Sequence, residues 1–208
     1  MLNLRHRSGR GFTLVEVMIA LGILGILIMM GLPSLVTWIQ NTQIRTAAEG
    51  MHAGLMLARA EALRRNTVVR FQVVDTLTSG CGMSAGGTNW VVSLADTTGA
   101  CDVDPSDTVA PLIIQKRAGS EGSSQAQVLT TGGQSLQFNG LGRVLPAGGL
   151  AAVPPAITRI DVSNPSGGAC KTSAGNEPMR CLRITISTGG QIRMCDPAVT
   201  DNTDPRFC

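Results

Sequence analysis

Residues 12–32, FTLVEVMIALGILGILIMMGL, form an apolar run with a single acid inside it, Glu16. Arg5, Arg7 and Arg10 stand ahead of it, and residues 17–32 carry no charge at all. A basic stretch before an apolar run directs the run into a membrane and leaves the basic end inside. A secretory signal would have an apolar core of roughly 7–15 residues and a small-residue cleavage site. Here the run ends in Gly31-Leu32-Pro33-Ser34, and helical patterning continues past it. The sequence therefore predicts a retained membrane helix. Glu16 constrains it further. An ionised acid in hydrocarbon costs on the order of 3 kcal/mol, so it needs a partner or a polar exit. An acid near a helix N-terminus is also favoured by the dipole and can reach headgroups. Both readings stand at this point.

Beyond Pro33 the apolar pattern narrows to one face. Ile44, Ala48, Met51, Leu55, Ala58 and Ala62 recur at helical spacing. Arg45, Glu49, His52, Arg59, Glu61 and Arg64 fall on the other side, where simple solvation is expected. Glu61 and Arg65 stand four apart in the favourable order. Small residues in the stripe would let the helix lie close to a sheet. Gly22, Gly25, Gly31 and Pro33 weaken the apolar half, and local unwinding over 25–33 during assembly is expected.

Charge and cysteines bound the rest. Without the first eleven residues, fourteen basic residues face fourteen acidic ones, so bulk charge makes no case for nucleic acid. Cys81, Cys101, Cys170, Cys181, Cys195 and Cys208 contain no C-x-x-C, and there are two His in all. No metal site and no cofactor are expected. An even count with wide spacing suits disulfides and an oxidising compartment such as the bacterial periplasm. Pairing sequence neighbours (81–101, 170–181, 195–208) is the simplest of about fifteen connectivities, which remain open.

Gly11-Phe12-Thr13-Leu14-Val15-Glu16 resembles the class III leader motif of type IV pilins and pseudopilins. The resemblance implies that a prepilin peptidase cuts between Gly11 and Phe12 on the cytoplasmic side and methylates Phe12. It implies that Glu16 pairs with the terminal amine of a neighbouring subunit. Pro33 stands where pilins commonly carry a helix-breaking proline, and is taken with Glu16 as an assembly residue. Residues 54–66, GLMLARAEALRRN, resemble the helix end of the GspH/FimT group of minor pilins and pseudopilins. The implied organisation is a cleaved leader over 1–11, a membrane helix over 12–32, an amphipathic helix over 33–65 and a periplasmic β-rich domain over 66–208. Implied partners are other minor and major pilins or pseudopilins and the inner membrane. The implied role is a minor pilin at the filament tip.

After Asn66 helical periodicity stops. Strands are predicted at 67–75, 89–95, 111–116, 134–139, 157–162, 182–187 and 191–195, separated by Gly, Ser, Asp and Pro clusters. The polar stretch 118–127 reads as a flexible loop. The fold class is α+β, pilin-like: a long N-terminal helix, membrane half plus amphipathic half, packed on a mostly antiparallel sheet domain. One hairpin can be registered. Leu182, Ile184 and Ile186 on one arm and Ile192 and Met194 on the other must share the core face, which sets Ile186 opposite Ile192. The loop is then Thr188-Gly189-Gly190, with Gly for positive φ. Arg183 and Arg193 become diagonal neighbours on the outer face.

No catalytic constellation emerges, and a chain without enzymatic activity is expected. Gly82-Met83-Ser84-Ala85-Gly86 matches G-x-S-x-G, but a nucleophile elbow needs a strand before it and a helix after it. DNA binding is the second reading. Residues 140–195 hold six basic residues, Arg180, Arg183 and Arg193 among them, against two acids. Some FimT-like pilins take up DNA through a basic Gly-Arg-x-Arg segment; the comparable stretch here, Gly190-Gln191-Ile192-Arg193, has Gln in the first Arg position. A merely solvated basic face remains the alternative. A type II secretion pseudopilin is the third reading, since it shares leader, helix and sheet.

Overall fold

The computed structural model of the 208-residue chain describes residues 11–145 and 156–208. The basic leader with Arg5, Arg7 and Arg10 lies outside the described residues. The chain divides into two compact units, one ending at Trp38 and the other Ile39–Cys208. Helix α1, Leu14–Arg65, supplies residues to both. In the first unit the apolar side chains are exposed, from Phe12 through Leu24 to Trp38. The helix is long and apolar enough to cross a membrane. It is helical across 25–33 in this isolated chain.

In the second unit the predicted stripe is the helix's buried face. Ile44, Ala48, Met51, Leu55, Ala58 and Ala62 are all essentially inaccessible. Gly54 sits on the same face, where a Cβ would come within 2.8 Å of Phe71 and 3.0 Å of Trp90. Its missing side chain is what lets the helix rest on that ring pair, whose centroids are 5.7 Å apart. The helix ends by an αL cap: Asn66 has φ 49° and Thr67 donates its N–H to Ala62 O at 3.3 Å. The charged side is more than solvated. Arg45 and Glu49 form an exposed pair, but Arg59 Nε donates to Gly142 O at 3.1 Å. That corrects the expectation of a free charged face: Arg59 ties the helix to the turn at Gly142.

Among the described residues, eight strands make two four-stranded antiparallel sheets. They are β1 Val69–Val74, β2 Asn89–Ser93, β3 Ile113–Arg117, β4 Gln127–Thr131, β5 Ser135–Phe138, β6 Arg159–Ser163, β7 Leu182–Ile186 and β8 Ile192–Cys195. The first sheet runs β3-β2-β1-β5 and the second β4-β6-β7-β8. One core joins the helix stripe to Val69, Phe71, Val73, Trp90, Val92, Leu136 and Phe138 of the first sheet and to Ile160, Val162, Ile184 and Ile186 of the second. The α+β arrangement of helix on antiparallel sheets is as the sequence indicates. A smaller cluster of Val74, Val91 and Ile113 lies with the buried pair Cys81 and Cys101.

β4 is an element that the sequence does not reveal. Only Val128 and Thr130 of its five residues are buried, so one apolar side chain carries the inward face. Its register comes from β6 on one edge, and on the other Gly87 N–H donates to Val128 O and Thr130 N–H to Ala85 O. The stretch before it is not the free loop expected. It holds a distorted helical turn, Ser120–Ser123, in which Ser123 Oγ donates to Gly119 O, while Gly119 N–H donates to Asn89 Oδ1. The β7–β8 hairpin has the expected register, with Ile186 opposite Ile192. Ser187 N–H donates to Gln191 O to close the Thr188-Gly189-Gly190 loop, and Gly190 has φ 82°.

Candidate functional site

The segment Gly11–Glu16 is built by one capping residue. Gly11, Phe12 and Thr13 precede the helix. Thr13 accepts from Glu16 N–H through Oγ1 at 3.3 Å and from Val17 N–H through its carbonyl at 3.2 Å. A threonine in this position satisfies a first-turn donor that would otherwise be orphaned. Phe12 is 83% exposed, and Glu16 is exposed in the first helical turn. An acid there meets the positive end of the helix dipole. Pro33 lies within the continuous helix.

The six cysteines form three bridges: Cys81 with Cys101, Cys170 with Cys181, and Cys195 with Cys208. The second closes a loop that docks on the helix through Asn41. Its Nδ2 donates to Pro178 O at 3.1 Å and its Oδ1 accepts from Arg180 N–H at 2.7 Å. Met179, between them, is fully buried. The first bridge staples the β2–β3 excursion, which Lys116 also holds. Its ammonium donates to the carbonyls of Cys101, Asp102 and Val103 at 2.8–3.2 Å. Gln72, buried in β1, receives three donors from Ser93 and Thr97 and donates to Asp96. Burial raises the Asp96 carboxyl, but bonds from Thr98 and Gln72 outweigh it and lower it below the usual range. None of these polar roles has a sequence motif; each depends on which loop returns to which strand.

The arginines singled out for DNA are dispersed and largely engaged. Arg183 and Arg193 do share the outer face of the hairpin diagonally. Arg183 Nε donates to Asp161 Oδ1 at 2.6 Å, and Arg159 Nε lies 2.8 Å from the other carboxylate oxygen. Arg193 Nη2 donates to Pro205 O at 2.9 Å, and Arg180 is exposed. Arg206 in the tail is paired with Asp204, whose carboxyl it holds down at about 2. At the helix end, hydrogen bonds from Arg64 and Arg65 hold the Glu61 carboxyl below its usual range. Arg65 also reaches Asp107 at 2.6 Å.

The G-x-S-x-G match does not make a nucleophile elbow. Met83 bridges to Val74, Ser84 Oγ turns back to Gly86 O, and strand β2 follows. Among the described residues no cluster of three or more His, Cys, Asp or Glu could hold a metal ion.

The family described as Type II transport protein GspH matches residues 47–206, and the Prokaryotic N-terminal methylation motif matches residues 6–32. Two crystal structures of the type IV minor pilin FimU from Pseudomonas aeruginosa, in space groups P21 and P65, are similar at 17% identity. Each similarity covers 76% of this chain; 92% and 97% of the FimU chains are covered, with TM-scores of 0.44 and 0.45. No curated protein matches the chain.

Proposed function

The chain belongs to the GspH family, and from that premise we propose that it is a minor type IV pilin, a structural subunit that helps to initiate or cap a pilus. Its N-terminal methylation motif implies processing by a prepilin peptidase and pilin partners. In this reading the chain is anchored in the inner membrane with residues 39–208 in the periplasm. The peptidase cuts between Gly11 and Phe12, Phe12 is methylated, and Glu16 meets the new amine of a neighbouring subunit. The anchored chain then enters the filament, at its tip. The observation that carries the proposal is the coincidence of an exposed Phe12, an exposed first-turn Glu16 and an apolar helix whose described apolar side chains from Leu14 to Trp38 are exposed. An all-apolar helix needs lipid or other helices around it.

Deleting the gene and scoring surface pili tests the role; unchanged pili and twitching would remove it. Glu16→Ala tests the assembly contact. Cleavage should persist while incorporation into filaments falls at least tenfold, and normal incorporation would refute the pairing.

The printed description of the matched family favours a second reading, a type II secretion pseudopilin. Loss of protein export with intact pili on deletion would establish it. DNA binding has less support, because Arg193 is turned to Pro205 O, Arg183 shares Asp161 with Arg159, and the basic residues are dispersed rather than gathered on one surface. Phosphate affinity draws on several free cations. Retardation of DNA by the protein at low salt, lost in Arg183→Ala/Arg193→Ala, would restore that reading.

A further inference from the structure

The outer face of the second sheet carries a groove of about 510 Å³. We propose that this groove binds an extended acidic peptide segment of a partner protein. The inference rests on this sheet alone and goes beyond the pilin reading.

Register builds the floor. Leu129, Asp161 and Arg183 stand side by side on β4, β6 and β7. Residues 171–173 of the loop closed by Cys170 and Cys181 line the groove, and so does Pro197 of the loop closed by Cys195 and Cys208. An antiparallel sheet face turned to water is ordinarily open. Here two crosslinked loops border it, so the shape exists before a ligand arrives and less ordering is needed on binding. Adjacent strands lie about 4.8 Å apart, so the floor from β4 to β7 is about 10 Å across, the width of one extended chain.

Charge selects the occupant. Asp161 is shared by Arg159 and Arg183, which leaves that trio one positive charge in excess. Arg183 meets Asp161 through Nε, so the guanidinium is held in place while its terminal nitrogens can receive a second carboxylate. Lys171, exposed on the wall, adds another cation, with Glu177, which accepts from Thr172 N–H, as its nearest counter-charge on that loop. Leu129, 56% exposed on the opposite strand, offers an apolar contact at the far side. Among the described residues no aromatic side chain lines the groove, so they offer no stacking surface for a base there. Two cations, a fixed fork and an apolar edge without stacking suit an acidic peptide better than nucleic acid.

The test uses the full-length protein in detergent micelles and fluorescence anisotropy of dye-labelled hexaglutamate. Binding should be saturable and fall with added salt. Lys171→Glu and Arg183→Gln should each weaken it about tenfold, while Arg143→Gln, at an exposed cation outside the groove, should leave it within about twofold. Lys171 is exposed, so its variant decides the matter even if Arg183→Gln impairs folding. No saturable binding, or equal weakening by Arg143→Gln, overturns the proposal. Tighter binding of a single-stranded DNA oligonucleotide of equal charge also overturns it and makes the groove a phosphate site. Normal piliation of the Lys171→Glu strain would separate this result from the pilin reading.

Discussion

Five glycines lie in helix α1, and its two halves use them differently. At Gly22, Gly25 and Gly31 an added Cβ would meet nothing within 4 Å. At Gly50 it would strike the Arg117 guanidinium, and at Gly54 the rings of Phe71 and Trp90. Each glycine costs a helix about 1 kcal/mol relative to alanine. In the domain half the offset is visible in the fold, as a close approach of helix to sheet. In the apolar half nothing among the described residues offsets it. There the compensation must come from the surroundings, where small residues let helices in a membrane approach closely. One half of the helix is explained by its own domain, the other by what it enters.

Leucine truncation should break the symmetry most. Leu55→Ala removes a fully buried side chain and should cost roughly 2–5 kcal/mol. Leu24→Ala, at an exposed position, should cost under about 0.5 kcal/mol for the same domain. Denaturant unfolding of the chain in detergent, followed by the Trp signal, measures both; equal costs would erase the distinction. Alanine at the glycines is a finer probe. Gly25→Ala should leave domain stability unchanged or slightly improved. Gly54→Ala should lose about 1–2 kcal/mol, because overpacking against two rings exceeds the gain in helix propensity. A stabilising Gly54→Ala would mean that the rings yield easily.

The smallest effect concerns pH. The Glu61 carboxyl is lowered by bonds from Arg64 and Arg65. A lowered folded value means its stabilisation is complete above the ordinary glutamate value of 4.5 and is lost as pH falls through the lowered one. Glu61→Gln should therefore lower stability by less than about 1 kcal/mol at pH 7 and flatten its fall below pH 4.5. An acid limb identical to that of the parent would remove Glu61 from that transition.

The legible parts of the fold were those where one pattern constrains many residues. The stripe from Ile44 to Ala62 follows from helical period, because every member must face the same sheets. The β7–β8 register follows from two apolar alternations that can face the core together only one way. β4 escaped because Val128 alone supplies an apolar inward residue, too little for a period. The docking of Asn41 on Pro178 and Arg180 escaped for another reason. It joins residues 137 and 139 apart, and nothing local marks an asparagine that will read a returning loop. The Asp161–Arg183 pair is similar: opposite charges 22 residues apart become neighbours only once β6 and β7 are registered. In the segment proposed for processing, Gly11, Phe12 and Glu16 are singled out by order along the chain, but the cap made by Thr13 is a matter of geometry.

That cap has a kinetic consequence. Because Thr13 caps a helix that begins at Leu14, the Gly11–Phe12 bond lies in backbone that carries none of its hydrogen-bond ladder. A peptidase that cuts there, as proposed above, can engage an extended strand without melting a turn first. The lifetime of the helix then drops out of the rate of processing. Thr13→Ala would make fraying frequent while leaving the speed of cleavage nearly untouched.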